Sequence, residues 1–254
     1  MDFERARIED VETRVKSAVE RAKEKQEELN AVVSFVDVDS QLADLANKDP
    51  HAPLYGMPIV LKDNVNMKGV RTTASSRILD NYIPVYDAHI SEKLKEAGAI
   101  VIAKSSMDEL GMGGTNKNAY TGKVNNPWDP TRISGGSSGG SAVLVASGVV
   151  PFAIGTDTGD SVRKPAAYNG IIGMKPTYGR ISRYGIIPYA SSLDHVGYFT
   201  TAIEDAAVAL EVLAGRDDRD MTSSYEPVPN YASDINSDIK GKKIAILDLS
   251  LIHI

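Results

Sequence analysis

The chain has 254 residues, 42% hydrophobic and 24% charged, enough for one large globular domain with a sizeable core. Its 34 acidic residues outnumber 28 lysines and arginines for a formal charge of -6, so no sequence-wide basic field exists to bind a polyanion directly. The absence of cysteine excludes disulfides, thiolate metal sites and a cysteine nucleophile in one step.

Phe3, Ile8, Val11, Val15 and Val19 recur at three- and four-residue steps and predict an amphipathic N-terminal helix within residues 1–30. This charged segment lacks the apolar stretch of a secretory leader. No apolar run in the chain approaches the roughly 18 residues of a membrane span, so a cytoplasmic location is expected. Residues 31–36 (AVVSFV) have the β-branched density of a strand, and residues 57–61 (MPIVL) form an apolar run that stops abruptly at Lys62, Asp63 and Asn64. Residues 87–98 predict a helix capped by Asp87 and closed by Gly98, with a strand at 99–103. A buried helix over 139–148, a strand over 149–155 and a helix over 203–214 complete an alternating α/β pattern. Residues 225–237 read as a surface loop and 243–247 as a new strand. A strand needs neighbours, so a chain that stops a few residues later is expected to be truncated within its fold, with 249–254 a non-native tail.

Two segments concentrate glycine and serine, GGSSGG at 135–140 and TDTGDS at 156–161, with an apolar run between them. Glycine tolerates bent main chain and close approach, so each segment reads as backbone folded around a small reacting group. The histidines at 51, 89, 195 and 253 show no ligand spacing and are expected to be structural or solvated, with no metal site. A serine nucleophile then needs another base, and a lysine serves if burial lowers its pKa. Lys62 at the end of its apolar run is the candidate base, although a solvated lysine flanking a strand is the plainer reading of that position alone. Ser161 follows Thr158, Gly159 and Asp160, whose N–H groups suit a developing oxyanion, and Ser137 suits a proton relay between Ser161 and Lys62. The plainer reading here is of glycine-rich turns with capping serines.

Three loose matches carry less weight. Residues 135–139 satisfy GxSxG, but 129–133 make a poor strand for a nucleophile elbow. Residues 161–164 satisfy SxxK without an accompanying SDN or KTG. GGSSGG lacks the GK[ST] ending of a phosphate-binding loop.

GGSSGGS, GTDTGDSVRKPAAYNGIIGMKP and the upstream PIVLKDN occur in the order and at the spacing of one family, and on these stretches the chain resembles the amidase signature enzymes. The resemblance implies a single α/β domain, an α/β/α sandwich with a central mixed sheet flanked by helices, incomplete here. It also implies Ser161 as acylated nucleophile, Ser137 as a bridging serine after a cis peptide, Lys62 as base and Ser138 in support. Thr158, Gly159, Asp160 and Ser161 would form the oxyanion hole. Further stretches, including KPTYGRISRYGIIPYASSLDHVG from Lys175 and GRDDRDMTSS from Gly215, are most similar to the glutamine-hydrolysing subunits of tRNA-dependent amidotransferases. That similarity implies glutamine as ammonia source, partner B and C subunits, and Glu-tRNA(Gln) reached through the B subunit. It implies no cofactor in this chain, ATP and Mg being expected at the B subunit. A stand-alone amidase and a catalytically silent scaffold are the alternatives. Asp160 stands where the family has glycine, so a strained backbone and a carboxylate facing the oxyanion are expected there.

Overall fold

The computed structural model describes residues 10–243. The N-terminal helix α1 (Val11–Glu24) begins at Asp10, whose carboxylate accepts a hydrogen bond from the Thr13 N–H at 3.1 Å. It buries Val15, Ala18 and Ala22 along one face. Of the predicted stripe, Phe3 and Ile8 lie outside the described residues. A short α2 (Gln26–Leu29), strand β1 (Val32–Phe35), helix α3 (Asp39–Leu45) and strand β2 (Pro58–Lys62) follow. After them come α4 (His89–Glu96), β3 (Ile100–Ser105), α5 (Gly139–Ala146), β4 (Phe152–Asp157) and α6 (Arg163–Asn169). The described chain ends with β5 (Ile172–Met174), β6 (His195–Thr200), α7 (Ile203–Leu213) and the single turn α8 (Tyr231–Asp234).

The six strands form one mixed sheet in the order β1-β3-β2-β4-β6-β5. β3, β2 and β4 are parallel at its centre, while β1, β6 and β5 join antiparallel. β2, β3 and β4 are buried at every position, which is why they open as continuous apolar runs rather than as alternating patterns, each ending in polar residues. One face packs Ile59, Leu61, Phe152, Ile154 and Tyr198 against Ile90 and Leu94 of α4 and Leu210 and Leu213 of α7. The other packs Val60, Ile102, Ala153 and Phe199 against Val15 and Ala18 of α1 and Val143 and Val145 of α5. This is the expected α/β/α sandwich with a mixed sheet. No helix among the described residues is long and apolar enough to cross a membrane.

Several element boundaries differ from the sequence reading, β3 among them, which runs on through Lys104 to Ser105. Asp87 does not cap α4; the cap position is Ala88, and the Asp87 carboxylate instead accepts from the Lys68 N–H and the Lys95 ammonium. β4 starts at Phe152 rather than residue 149, because Gly148 turns the chain at φ 72° and Pro151 brings no N–H to the ladder. It also runs two residues past Gly155, with Thr156 opposite Val196 and Asp157 opposite His195, so two polar residues end a buried strand. The loop over 225–237 contains the turn α8. Of the predicted strand at 243–247, all but the first residue lies outside the described residues.

Candidate active site

The two glycine-serine segments meet at one end of the parallel strands, above β2 and β4. Lys62, the last residue of β2, is 0% exposed, which removes the plainer reading of a solvated lysine. Its Nζ donates at 2.8 Å to each of three hydroxyls, Ser137 Oγ, Ser138 Oγ and Thr156 Oγ1, and at 3.4 Å to the Thr156 carbonyl. Burial lowers the Lys62 pKa to about 7, against the opposing pull of the Asp108, Asp157 and Asp194 carboxylates. A neutral amine with a serine hydroxyl at hydrogen-bond distance is a usable base near neutrality.

Ser137 and Ser138 sit at the mouth of α5, and the Gly136–Ser137 peptide is cis. Their placement depends on crowding. A Cβ at Gly139 would lie 2.7 Å from both Asn116 Oδ1 and Ser134 Oγ, and one at Gly140 would lie 2.7 Å from the Ala31 carbonyl. Close approach, rather than positive φ, is what those two glycines supply. Asn116 Oδ1 accepts from the Gly139 N–H at 2.9 Å, and the Asp108 N–H donates to the Ser137 carbonyl at 3.1 Å. Ser138 bonds twice to Thr156, its hydroxyl donating to the carbonyl at 3.0 Å and accepting from the N–H at 3.2 Å. The Ser138 N–H then donates to the Ser161 carbonyl at 3.2 Å, which ties the first segment to the second.

Ser161 lies in the turn between β4 and α6 and is 5% exposed. Asp157 shapes that turn by accepting from the Val162 N–H at 2.9 Å and pairing with Arg163 Nη2 at 2.9 Å. Burial would raise the Asp157 pKa, but Arg163 and the Val162 N–H hold the carboxyl below its usual value. The main-chain N–H groups of Gly159, Asp160 and Ser161 make no hydrogen bond among the described residues, so they remain available to an oxyanion. The Thr158 hydroxyl donates to Asp194 Oδ1 at 2.6 Å.

Two expectations change. Asp160 is not among the residues with positive φ, so the substitution for glycine carries no left-handed strain. Its carboxylate turns to Lys164, 2.5 Å away, rather than to the oxyanion position. The structure also places Ser137 against Lys62 but joins Ser161 to that cluster only through the Ser138 main chain; a direct bond between the Ser137 and Ser161 hydroxyls is not formed among the described residues.

Sequence reasoning passed over Thr156, Asp157 and Asp108. The first two were visible as the polar pair in GTDTGDS, but ending the strand at Gly155 assigned them to a loop. Asp108 has no local signal: its buried carboxylate shapes its own loop by accepting from the Asn116 N–H at 2.9 Å, and its N–H reaches the serine loop only at the distant Ser137 carbonyl. His195 lines a small cavity beside Ser137 but bonds the Leu193 carbonyl through Nδ1 at 2.7 Å, and His51 is exposed. A larger cavity of about 550 Å³, lined by Phe35, Asp37, Lys68, Arg71 and Lys95, holds none of the residues singled out for chemistry.

Residues 13–251 match the model of the Amidase family. The A subunit of the Oenococcus oeni glutamyl-tRNA(Gln) amidotransferase is 47% identical over 238 residues, covering 91% of this chain and 48% of the relative. The crystal structure of the corresponding Thermotoga maritima polypeptide, which carries the same name, superposes with a TM-score of 0.80 at 40% identity, covering 89% of this chain and 49% of that one. A peptide amidase bound to the competitive inhibitor chymostatin gives 0.82 at 32% identity, covering 89% and 49%. The chain thus spans about half the length of the curated relatives it matches.

Proposed function

Because the chain belongs to the Amidase family, we propose that it supplies the acyl-transfer half of a glutaminase that releases ammonia for a tRNA-dependent amidotransferase. The observation that carries this reading is the fully buried Lys62 with Nζ 2.8 Å from Ser137 Oγ. Ser161 Oγ attacks the side-chain carboxamide carbon while its proton passes through Ser137 to Lys62. The resulting oxyanion faces the N–H groups of Thr158, Gly159, Asp160 and Ser161. Ser138 and Thr156 hold the Lys62 amine toward Ser137. When the adduct collapses, the C–N bond breaks, the proton returns through Ser137 to the nitrogen, and ammonia leaves an ester on Ser161. A water activated by the same pair then frees glutamate.

In this proposal ammonia passes to a B subunit, where ATP and Mg serve the amidation of Glu-tRNA(Gln), and a C subunit completes the assembly. The reading rests on the 47% identity to a protein of that name and on a net charge of -6, which leaves the nucleic acid to a partner. A second reading, a stand-alone amidase on small amides, is favoured by the likeness to the peptide amidase. Asp160 gives no support to a silent scaffold, since its carboxylate is engaged by Lys164.

The deciding experiment uses the full chain assembled with its B and C subunits. Glutamine-dependent formation of Gln-tRNA(Gln) supports the first reading, whereas amide hydrolysis by the chain alone, with no response to Glu-tRNA(Gln), supports the second. Labelling of Ser161 by a fluorophosphonate, abolished in Ser161→Ala, is expected in both; its failure in a folded complex overturns the acyl-enzyme itself.

A further inference from the structure

Asn64 lies two residues beyond Lys62 and is 5% exposed. Its Nδ2 donates to Thr156 Oγ1 at 3.1 Å and to the Ile187 carbonyl at 3.5 Å, and its own main-chain carbonyl accepts from the Ile187 N–H at 2.8 Å. These contacts orient the side-chain amide. Oδ1 is then a buried acceptor with no partner among the described residues. A buried polar atom left in that state is costly unless a donor arrives, so it calls for an explanation.

Asn64, Ser137, Thr156 and Thr158 line a common cavity of about 10 Å³, with Ile186 and Ile187 among its apolar walls. That is near the least volume that holds one water-sized molecule. Asp194, also on its wall, already accepts from Thr158 Oγ1 and from the Tyr189 and Ala190 N–H groups. Among the side chains that line the cavity, Asn64 thus carries the acceptor oxygen with no partner among the described residues.

We infer that Asn64 Oδ1 accepts an N–H of the departing amide nitrogen, and that this cavity is a leaving-group pocket sized for ammonia. The inference rests on the acyl-transfer reading above. In that reaction Ser137 must give its proton to the leaving nitrogen, so the nitrogen has to sit against Ser137, which lines the cavity. The C–N bond breaks with its electron pair going to nitrogen; nitrogen takes the Ser137 proton, and Ser137 is reprotonated by the Lys62 ammonium. The nitrogen already carries two N–H donors from a primary carboxamide, and one of them meets Asn64 Oδ1. An ester leaving group brings no such donor at its oxygen. An N-alkyl amide brings a methyl group that a cavity of this size does not admit. Asn64 thus selects primary carboxamides by the chemistry of what leaves.

The test compares glutamine, γ-N-methylglutamine and a fluorophosphonate, whose fluoride leaving group has neither an N–H donor nor a methyl group, on the full chain in its complex. Asn64→Leu should lower the ratio of glutamine kcat/KM to the rate of Ser161 labelling about 10- to 100-fold, the size of one lost hydrogen bond in a buried site. The unsubstituted enzyme should turn over N-methylglutamine at least about 100-fold more slowly than glutamine, and Asn64→Ala, which opens the cavity, should narrow that gap. Glutamine turnover and labelling rates that fall in parallel in Asn64→Leu, or equal turnover of glutamine and N-methylglutamine by the unsubstituted enzyme, overturn the inference. The second comparison stands even if Asn64→Leu does not fold. Labelling of Ser161 in the unsubstituted complex is scored first, so its failure there counts against the acyl-enzyme and not against Asn64.

Discussion

Two lysines are completely buried one strand apart, Lys62 at the end of β2 and Lys104 on β3, and only one of them is placed to be a base. Burial lowers both, Lys62 to about 7 and Lys104 to about 8, with nearby carboxylates opposing the shift in each case. What separates them is the identity of the partners. Lys62 Nζ meets three hydroxyls, one of them on Ser137 beside the open cavity. Lys104 Nζ meets the Val65 carbonyl at 2.6 Å, Thr72 Oγ1 at 2.9 Å and Asp63 Oδ1 at 3.6 Å, none of them a nucleophile in the site. Asp63 in turn gathers the N–H groups of Thr73 and Ser75, so Lys104 braces the arch that follows β2. Desolvation alone makes a potential base; in the proposed reaction it is the hydroxyl neighbours beside the cavity that let Lys62, and not Lys104, serve as one.

The sharpest way to break this comparison is to truncate each lysine. Lys62→Ala should cost about 10⁴-fold or more in kcat, comparable to loss of the nucleophile, because a base and its nucleophile act as a unit. Its thermal unfolding should show a folded chain. Lys104→Ala should act chiefly on stability, by about 3–5 kcal/mol, because the Asp63 carboxylate is left buried without its cation. Chemical denaturation of both variants checks the contrast. A Lys104→Ala chain of unchanged stability but abolished kcat would show that the two lysines share the chemistry.

A pH profile sharpens the same contrast with a smaller effect. Lys62 must be neutral to accept a proton, so kcat/KM should fall about tenfold per pH unit below its pKa near 7 and level off above it. The stability linkage has the matching sign. A lysine at about 7 in the folded chain and 10.5 unfolded binds more protons when unfolded, so its contribution to stability rises with pH between those values. Since the carboxylates that pull on Lys62, those of Asp108, Asp157 and Asp194, are buried with it, the activity limb should shift little with salt. A kcat/KM that is flat from about pH 5.5 to 8.5 rules Lys62 out as the titrating base.

Much of the fold was legible because the central strands are buried on both faces and so appear as short apolar runs bounded by polar residues. Lys62, Ser137 and Ser161 stood out as a lysine at the end of such a run and serines inside glycine clusters, patterns that a solvated lysine and capped turns explain as well; the family resemblance, and not the local pattern, gave them roles. The supporting residues were harder to see. Thr156 and Asp157 continue β4 as polar residues, where the apolar signal of a buried strand gives out. Asp108 through its N–H and Asn116 through its side-chain oxygen reach the serine loop from 20 to 30 positions away, contacts that no local pattern encodes. Asn64 was visible as a polar residue next to Lys62, but its unpartnered oxygen depends on Ile187 and Thr156 holding the other end of the amide.

The smallest predicted effect concerns Asp160, which the sequence marked as a strained and obstructive replacement for glycine. Strain requires positive φ, and Asp160 does not adopt it. Obstruction requires a carboxylate aimed at the oxyanion, and this one pairs with Lys164 at 2.5 Å, both groups partly exposed. An exposed i,i+4 pair is worth a few tenths of a kcal/mol, so Asp160→Gly should change kcat by less than about threefold and barely move the unfolding temperature. Lys164→Ala is the more demanding variant, because it frees the Asp160 carboxylate to turn toward the loop while leaving the backbone untouched. If the carboxylate is harmless only because Lys164 holds it, Lys164→Ala should slow acylation more than Asp160→Gly does, and the double variant should recover the Asp160→Gly rate. Equal rates in all three would show that the oxyanion position is indifferent to this carboxylate wherever it points.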